Sequence, residues 1–377
     1  MEYALNELFE LQMGKTPSRG NTTYWNDGCY DWISISDLSG SEMYIAETKE
    51  KITELAVMES GIKPIPKNTV IMSFKLSIGK VAITSKEMFC NEAIMAFLDK
   101  RVAELLPQYL YYLLLQKNWE SGSNKAVMGK TLNKATLLQT KIKTHDIEEQ
   151  KKIVDILNKV NYIIQQRKRQ LQELDNLTKA RFIEMFGEPE NNNKAWPVKS
   201  LDKLCTVGSS KRVYQSEQSS EGVPFWRISD LVSKIDTGTV DSKLFISEIK
   251  YTELKRAGLV PVTGDILVTS RGTLGRCYIV HDEDCFYFQD GMISWLSNYS
   301  EEITPLYLQY LFTMSGFRKQ IDNAQAGSTV AYLSIAMLKK LQVMVPNKAL
   351  QEQFAAFVAQ TDKSKLLKLP CKPSMQQ

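Results

Sequence analysis

At 377 residues the chain exceeds one ordinary domain and is comfortable as two. Hydrophobic residues make up 43% and charged residues 24%, a balance that excludes a disordered chain, and no apolar run approaches the eighteen residues of a membrane span. The charge balance, 47 Lys+Arg against 43 Asp+Glu, permits a polyanionic partner without requiring one, and would have to concentrate its cations on one face to serve it.

Taken in chain order, Met1 to Asn6 lacks the basic-then-apolar layout of a signal peptide, so a cytoplasmic protein is expected. Trp32 to Ser36 alternates apolar and small polar residues and reads as a strand. Thr69 to Phe74 and Val81 to Thr84 are β-rich runs on either side of a turn containing Gly79. Pro107 stands where a helix N1 proline stands, and Tyr109 to Gln116 supplies a dense apolar helix. From Asp146 the acidic start Asp146, Glu148, Glu149 suits a helix N-terminus. There the spacing becomes 4-3-4-3 through Ile153, Leu157, Val160, Ile164, Arg167, Leu171, Leu174, Thr178, Arg181 and Met185. Gly187 and Pro189 stop this helix, which at 1.5 Å per residue would span about 60 Å if continuous from Ile147 to Phe186. An apolar seam of that length is too long for an ordinary core helix and needs a partner. A polar linker, Glu188 to Lys194, leads to Trp196-Pro197. Beyond it Asp265 to Ser270 and Cys277 to Val280 read as strands around Gly272 and Gly275, and Pro305 to Phe312 as a helix.

The second set of elements repeats the first. Ile35-Ser36-Asp37-Leu38 returns as Ile228-Ser229-Asp230-Leu231, 193 residues later, each with a tryptophan just before it, Trp32 and Trp226. Gly79-Lys80 matches Gly275-Arg276 at 196, Pro107-Gln108-Tyr109-Leu110 matches Pro305-Leu306-Tyr307-Leu308 at 198, and Glu149-Gln150 matches Glu352-Gln353 at 203. Two copies of this period are whole domains, not a solenoid, and predict a pseudo-dimer within one chain. Each half is expected to be α+β.

Catalytic signatures are missing. Gly14-Lys15-Thr16 and Gly129-Lys130-Thr131 resemble P-loop tails, but Phe9 and Asn124 occupy the position of the required earlier glycine. Gly272 and Gly275 lie between two strands, where a dinucleotide loop would be followed by a helix. His145 and His281 have no partner constellation and read as surface histidines. The six cysteines form no CxxC pair, so zinc-ligand spacing is missing and no metal site is expected.

The chain resembles the specificity subunits of type I restriction-modification systems. The resemblance rests on the opening GKTPSR…YW (Gly14 to Trp25), the paired ISDL segments, read as strands, DIEEQKKIVDIL (Asp146 to Leu157) and RFIEMFGEP (Arg181 to Pro189), in that order. It implies target-recognition domain 1 over 1–146, a long spacer helix over 147–187, a linker and target-recognition domain 2 over 188–348, a shortened second spacer helix over 349–369, and a tail over 370–377. The two helices would pair antiparallel as a coiled coil. It implies a non-catalytic, sequence-specific DNA-binding subunit for double-stranded DNA with a bipartite target and a fixed gap, docking two methyltransferase subunits and, through them, restriction/translocase subunits. The alternatives are a subunit of a methylation-only complex or a self-contained DNA-modifying enzyme. No cofactor is expected in this chain; AdoMet, ATP and Mg would reside on the partners. Candidate DNA contacts are cations near glycine turns: Lys15, Arg19, Lys75, Lys80 and Lys130 in the first copy, and Lys211, Arg212, Arg227, Arg271 and Arg276 in the second. Arg271 and Arg276 stand foremost, because arginine can bind guanine bidentately. Docking and spacing fall to Ile153, Leu157, Val160, Ile164, Leu171 and Leu174. The family pattern is broken after Lys365, where Pro370 and Pro373 follow, so the C-terminal part of the first helix is expected to lack its partner.

Overall fold

The computed structural model describes residues 1–75, 77–119, 123–126, 129–132, 134–325 and 331–366. The chain divides into two units, Met1–Gln165 and Gln166–Gln377.

In unit 1 a five-stranded sheet runs in the order Phe9–Met13, Ile94–Asp99, Val70–Ser73, Val81–Thr84, Tyr44–Ile45. The first four are antiparallel neighbours and the last joins in parallel. Its central strands are buried at every position, and apolar at all but Ser73 and Thr84, because both faces are covered. Val70, Met72, Val81 and Ile83 pack with Leu110 and Leu114 of the helix Pro107–Gln116, while Ile71 and Ala82 pack with Ile33, Leu38 and Ile45. A three-stranded sheet places Tyr30–Ile33 between Glu50–Ile52 and Phe89–Cys90, and Glu2–Ala4 pairs with Lys141–Lys143.

Unit 2 rebuilds this plan. Thr206–Gly208, Ile293–Ser297, Ile266–Thr269 and Cys277–Ile279 form an antiparallel sheet in that order. Val223–Trp226 lies between Phe245–Ile246 and Tyr287–Phe288, and Val198–Ser200 pairs with Gln342–Met344.

The duplication extends to single hydrogen bonds. At the base of the first hairpin the Ser73 N–H donates to Lys80 O (2.9 Å), the Gly79 N–H to Ser73 O (2.9 Å) and the Lys80 N–H to Ser73 Oγ (3.1 Å). In the second, Thr269 N–H donates to Arg276 O (2.9 Å), Gly275 N–H to Thr269 O (2.8 Å) and Arg276 N–H to Thr269 Oγ1 (3.0 Å). Both glycines have positive φ, 84° and 70°, and a Cβ at Gly275 would lie 2.7 Å from Ile321 Cδ1. Gly275→Ala is therefore expected to cost about 1–2 kcal/mol and lower the melting temperature by roughly 2–8 °C. An unchanged thermal unfolding curve would mean that the loop relaxes freely.

Four expectations are corrected. The strand at Trp32 ends at Ile33, and both ISDL segments open helices, Ile35–Gly40 and Ile228–Thr237. The cause is the aspartate three residues past each helix cap: the Ser34 N–H donates to Asp37 Oδ2 and the Arg227 N–H to Asp230 Oδ2, each at 2.8 Å. That local bond outweighs a five-residue alternation. The two tryptophans are not equivalent either. Trp32 faces Phe89 in parallel register, whereas Trp226 faces Phe288 and Phe225 faces Tyr287, so Trp32 corresponds to Phe225.

The fourth repeat match is out of register by two residues. Gln150 is buried; its Oε1 accepts from the Leu106 N–H (3.0 Å) and its Nε2 donates to Glu104 O and His145 O (2.9 Å each). The side chain making the same three bonds in unit 2 is Gln351, which accepts from the Thr304 N–H (2.9 Å) and donates to Glu302 O (2.8 Å) and Pro346 O (2.9 Å).

The long helix, Ile147–Phe186, is 40 residues. In unit 2 its end buries Phe182, Met185 and Phe186 against Tyr307 and Phe354. Phe182 stacks on Tyr307 at 5.3 Å and meets Phe354 edge-on at 5.4 Å. The C-terminal helix, Lys348–Leu366, runs antiparallel to this end: Arg181 lies 5.9 Å over Phe357, and Lys365 pairs with Asp175 at 2.7 Å. The expectation of an unpartnered C-terminal part is thus overturned, because antiparallel helices meet root to tip. Most exposed apolar residues of this helix lie toward the other end, at Ile156 (60% exposed), Val160, Tyr162, Ile163 (59%) and Ile164; Leu177 (52%) is exposed in the C-terminal part. Ile153, Leu157, Leu171 and Leu174 are half-buried.

Candidate nucleic-acid interface

In unit 1, Arg19 projects from the loop after Phe9–Met13 and forks onto Glu50, with Nη2–Oε2 at 3.0 Å. Its guanidinium lies 3.8 Å over Trp25 and 4.8 Å from Trp32, whose rings meet edge-on at 5.0 Å. The Glu50 bond raises the Arg19 pKa and holds the Glu50 carboxyl below its ordinary range. Lys15 is exposed and donates to Ser60 O at 2.5 Å. On the hairpin, Lys75 sits 5.2 Å over Phe74, and Lys80 reaches back to Ser39 Oγ at the end of the Ile35–Gly40 helix. The side chain of Lys130 lies outside the described residues.

In unit 2, Lys211 and Arg212 share one loop: the Lys211 N–H is held by the Tyr287 hydroxyl at 2.9 Å, and Arg212 Nε donates to Asp290 at 3.0 Å. Arg227 is exposed at the cap of the Ile228–Thr237 helix. Arg271 is exposed, lies 5.1 Å over Tyr332 and bridges to it through the backbone. Arg276 forks onto Asp236 of the same ISDL helix, with Nη1–Oδ2 at 3.1 Å, and this bond lowers the Asp236 pKa.

The structure therefore brings the hairpin cation of each copy, Lys80 or Arg276, back to its own ISDL helix. The position is shared but the donors differ: lysine is a compact point charge, arginine a rigid fork. Arg19, Arg212 and Arg276 are paired with carboxylates, but such pairs at a wet surface are worth about 0–1 kcal/mol, so a phosphate or base edge can displace or share them. Sequence reasoning missed the partners Glu50 and Asp236. They lie 31 and 40 residues from their arginines, beyond any local spacing rule.

It also missed a cluster beneath the second hairpin. Burial pushes the Asp284 carboxyl up, but bonds from the Tyr278 hydroxyl (2.6 Å), the His281 N–H (2.9 Å) and Lys234 (3.0 Å) more than offset this and hold it below the ordinary carboxylate range. The ionised form then contributes stability that is fully present above the unfolded pKa and is lost as pH falls through the folded one. Asp284→Asn should flatten the acid-side fall of the melting temperature of unit 2. An equally steep fall in the variant would contradict this. Of the two histidines expected at the surface, His281 is exposed, whereas His145 is half-buried, with Nδ1 2.5 Å from the Tyr109 hydroxyl. Among the described residues, no group of three or more His, Cys, Asp or Glu is placed to hold a metal ion, and no helix is long and apolar enough to cross a membrane.

The family model for the type I restriction modification DNA specificity domain matches residues 1–176 and again 193–369. The chain is 25% identical over 381 residues to the type I restriction enzyme MjaIX specificity subunit of Methanocaldococcus jannaschii, covering 94% of this chain and 84% of that one. It is 22% identical over 347 residues to the MjaVIII specificity subunit of the same organism, covering 87% and 78%. A solved type I restriction-modification S subunit from M. genitalium shares the fold at a TM-score of 0.53 and 18% identity, with 98% of this chain and 90% of that chain covered. Matched by the family model in both halves, which share the hairpin bonds at Ser73 and Thr269, the chain belongs to the type I restriction-modification DNA specificity family and is a non-catalytic, sequence-specific DNA-binding subunit.

Proposed function

We propose that each unit reads one block of a bipartite DNA target and that the Ile147–Phe186 helix keeps the unread gap between the blocks constant. The observation that carries this reading is the hairpin pair: identical backbone bonds at Ser73 and Thr269 present lysines in one copy and arginines in the other. A shared frame with different donors suits two unequal half-sites, because phosphate contacts position a reader and side-chain identity selects the base. The exposed stripe Ile156, Val160, Ile163 and Ile164 is the docking surface for adenine-methyltransferase subunits, two per chain, through which restriction subunits join. This chain binds no cofactor of its own; AdoMet belongs to the methyltransferase, and ATP with Mg to the restriction subunit. The complex works in the cytoplasm.

Native mass spectrometry with the methyltransferase subunit of the same system tests this. One chain should carry two methyltransferases, and Ile156→Asp with Ile163→Asp should reduce that number without changing thermal unfolding. Methyl transfer to DNA by the purified chain alone, or a failure to associate, would overturn the proposal.

A further inference from the structure

We infer that Gln150 is a positioning residue for the length of the unread gap, an inference that rests on the two-block reading above. Gln150 is fully buried in the first turn of the long helix, and its amide uses three of its four hydrogen-bonding positions on backbone groups. Two of those groups, the Leu106 N–H and Glu104 O, lie in the segment entering the helix Pro107–Gln116; the third, His145 O, lies just before the long helix itself. The amide therefore ties the root of the helix to the body of unit 1 in fixed directions. An apolar side chain would fill the same space without specifying a direction. Farther along, the Tyr112 hydroxyl donates to Asn158 Oδ1 (2.8 Å) and accepts from Asn161 Nδ2 (3.0 Å), a second hold about two turns out.

Leverage makes this hold consequential. A helix of 40 residues is about 60 Å long, so a swing of about 5° at its root moves the far end by roughly 5 Å. One base-pair step is only about 3.4 Å. A loosened root would let the complex accept more than one gap length. Gln351 supplies an internal comparison: it makes the same three bonds, but roots a helix of 19 residues whose Phe354 packs within its own unit. Gln351 accepts one bond more, from the Thr304 hydroxyl at 3.1 Å, so the three backbone bonds are shared, the hold is no weaker, and the lever is much shorter.

The test is a selection from random duplexes with the full chain in complex with its methyltransferase, comparing wild type, Gln150→Ala, the volume-keeping Gln150→Met, and Gln351→Ala. All three variants should lower the melting temperature by similar amounts and retain both sequence blocks. Only the Gln150 variants should spread the gap over two or more lengths. A single gap length in every Gln150 variant that keeps both blocks would overturn the inference, as would equal spreading in Gln351→Ala. A wild-type target without two blocks would instead remove the reading on which the inference rests.

Discussion

Phe182→Ala is expected to destabilise unit 2 by about 3–5 kcal/mol, the usual cost of removing a buried phenylalanine ring. The ring is fully buried, stacked on Tyr307, edge-on to Phe354 and 4.8 Å from Phe186. Its truncation strips the contact that fastens both the long helix and the C-terminal helix to the core of this unit. Domains hold only about 5–15 kcal/mol in total, so the melting temperature of unit 2 should fall by roughly 6–20 °C. Unit 1 contains none of these rings, and its unfolding should stay in place. Thermal unfolding combined with limited proteolysis resolves the two. A loss below about 1 kcal/mol, or an equal shift of both units, would contradict this packing.

Arg276→Ala is expected to weaken binding to the cognate duplex by about 1–3 kcal/mol, roughly 5- to 150-fold, through one base pair of the second block while leaving the first block untouched. Arg276 is half-buried and its fork is preset by Asp236, so little orientation has to be acquired on binding. Arg276→Lys should not restore the preference, because an ammonium cannot reproduce the bidentate geometry. Competition between duplexes altered one base pair at a time measures this. A base contact leaves the salt dependence of binding unchanged, whereas a lost phosphate contact lowers its slope by about 0.9. Uniform weakening on every sequence, with the lower slope, would reassign Arg276 to the DNA backbone.

The sequence pattern and the fold agree where periodicity is long and disagree where one side-chain bond decides. Ten positions of 4-3-4-3 spacing, stopped by Gly187, mark the helix that ends at Phe186. The β-rich runs around Gly79 and Gly275 mark both hairpins because their strands are apolar on two faces. The ISDL segments were illegible as helices because Asp37 and Asp230 act through caps, not through period. The Glu-Gln pair at 352–353 drew the repeat two residues away from Gln351, whose role is visible only through its backbone partners. At the interface, residue type picks out Arg19 and Arg276, but Glu50 and Asp236 reach them only through the fold. The register of the antiparallel helix pair was the other hidden quantity: Lys365 on Asp175 decides which end of the long helix is covered.

Two readers on one chain should recognise two blocks of DNA. Selection from random duplexes by the wild-type chain in complex with its methyltransferase tests it most directly. The expected result is two short blocks of unequal sequence separated by an unread gap of one constant length. A single contiguous block would contradict it.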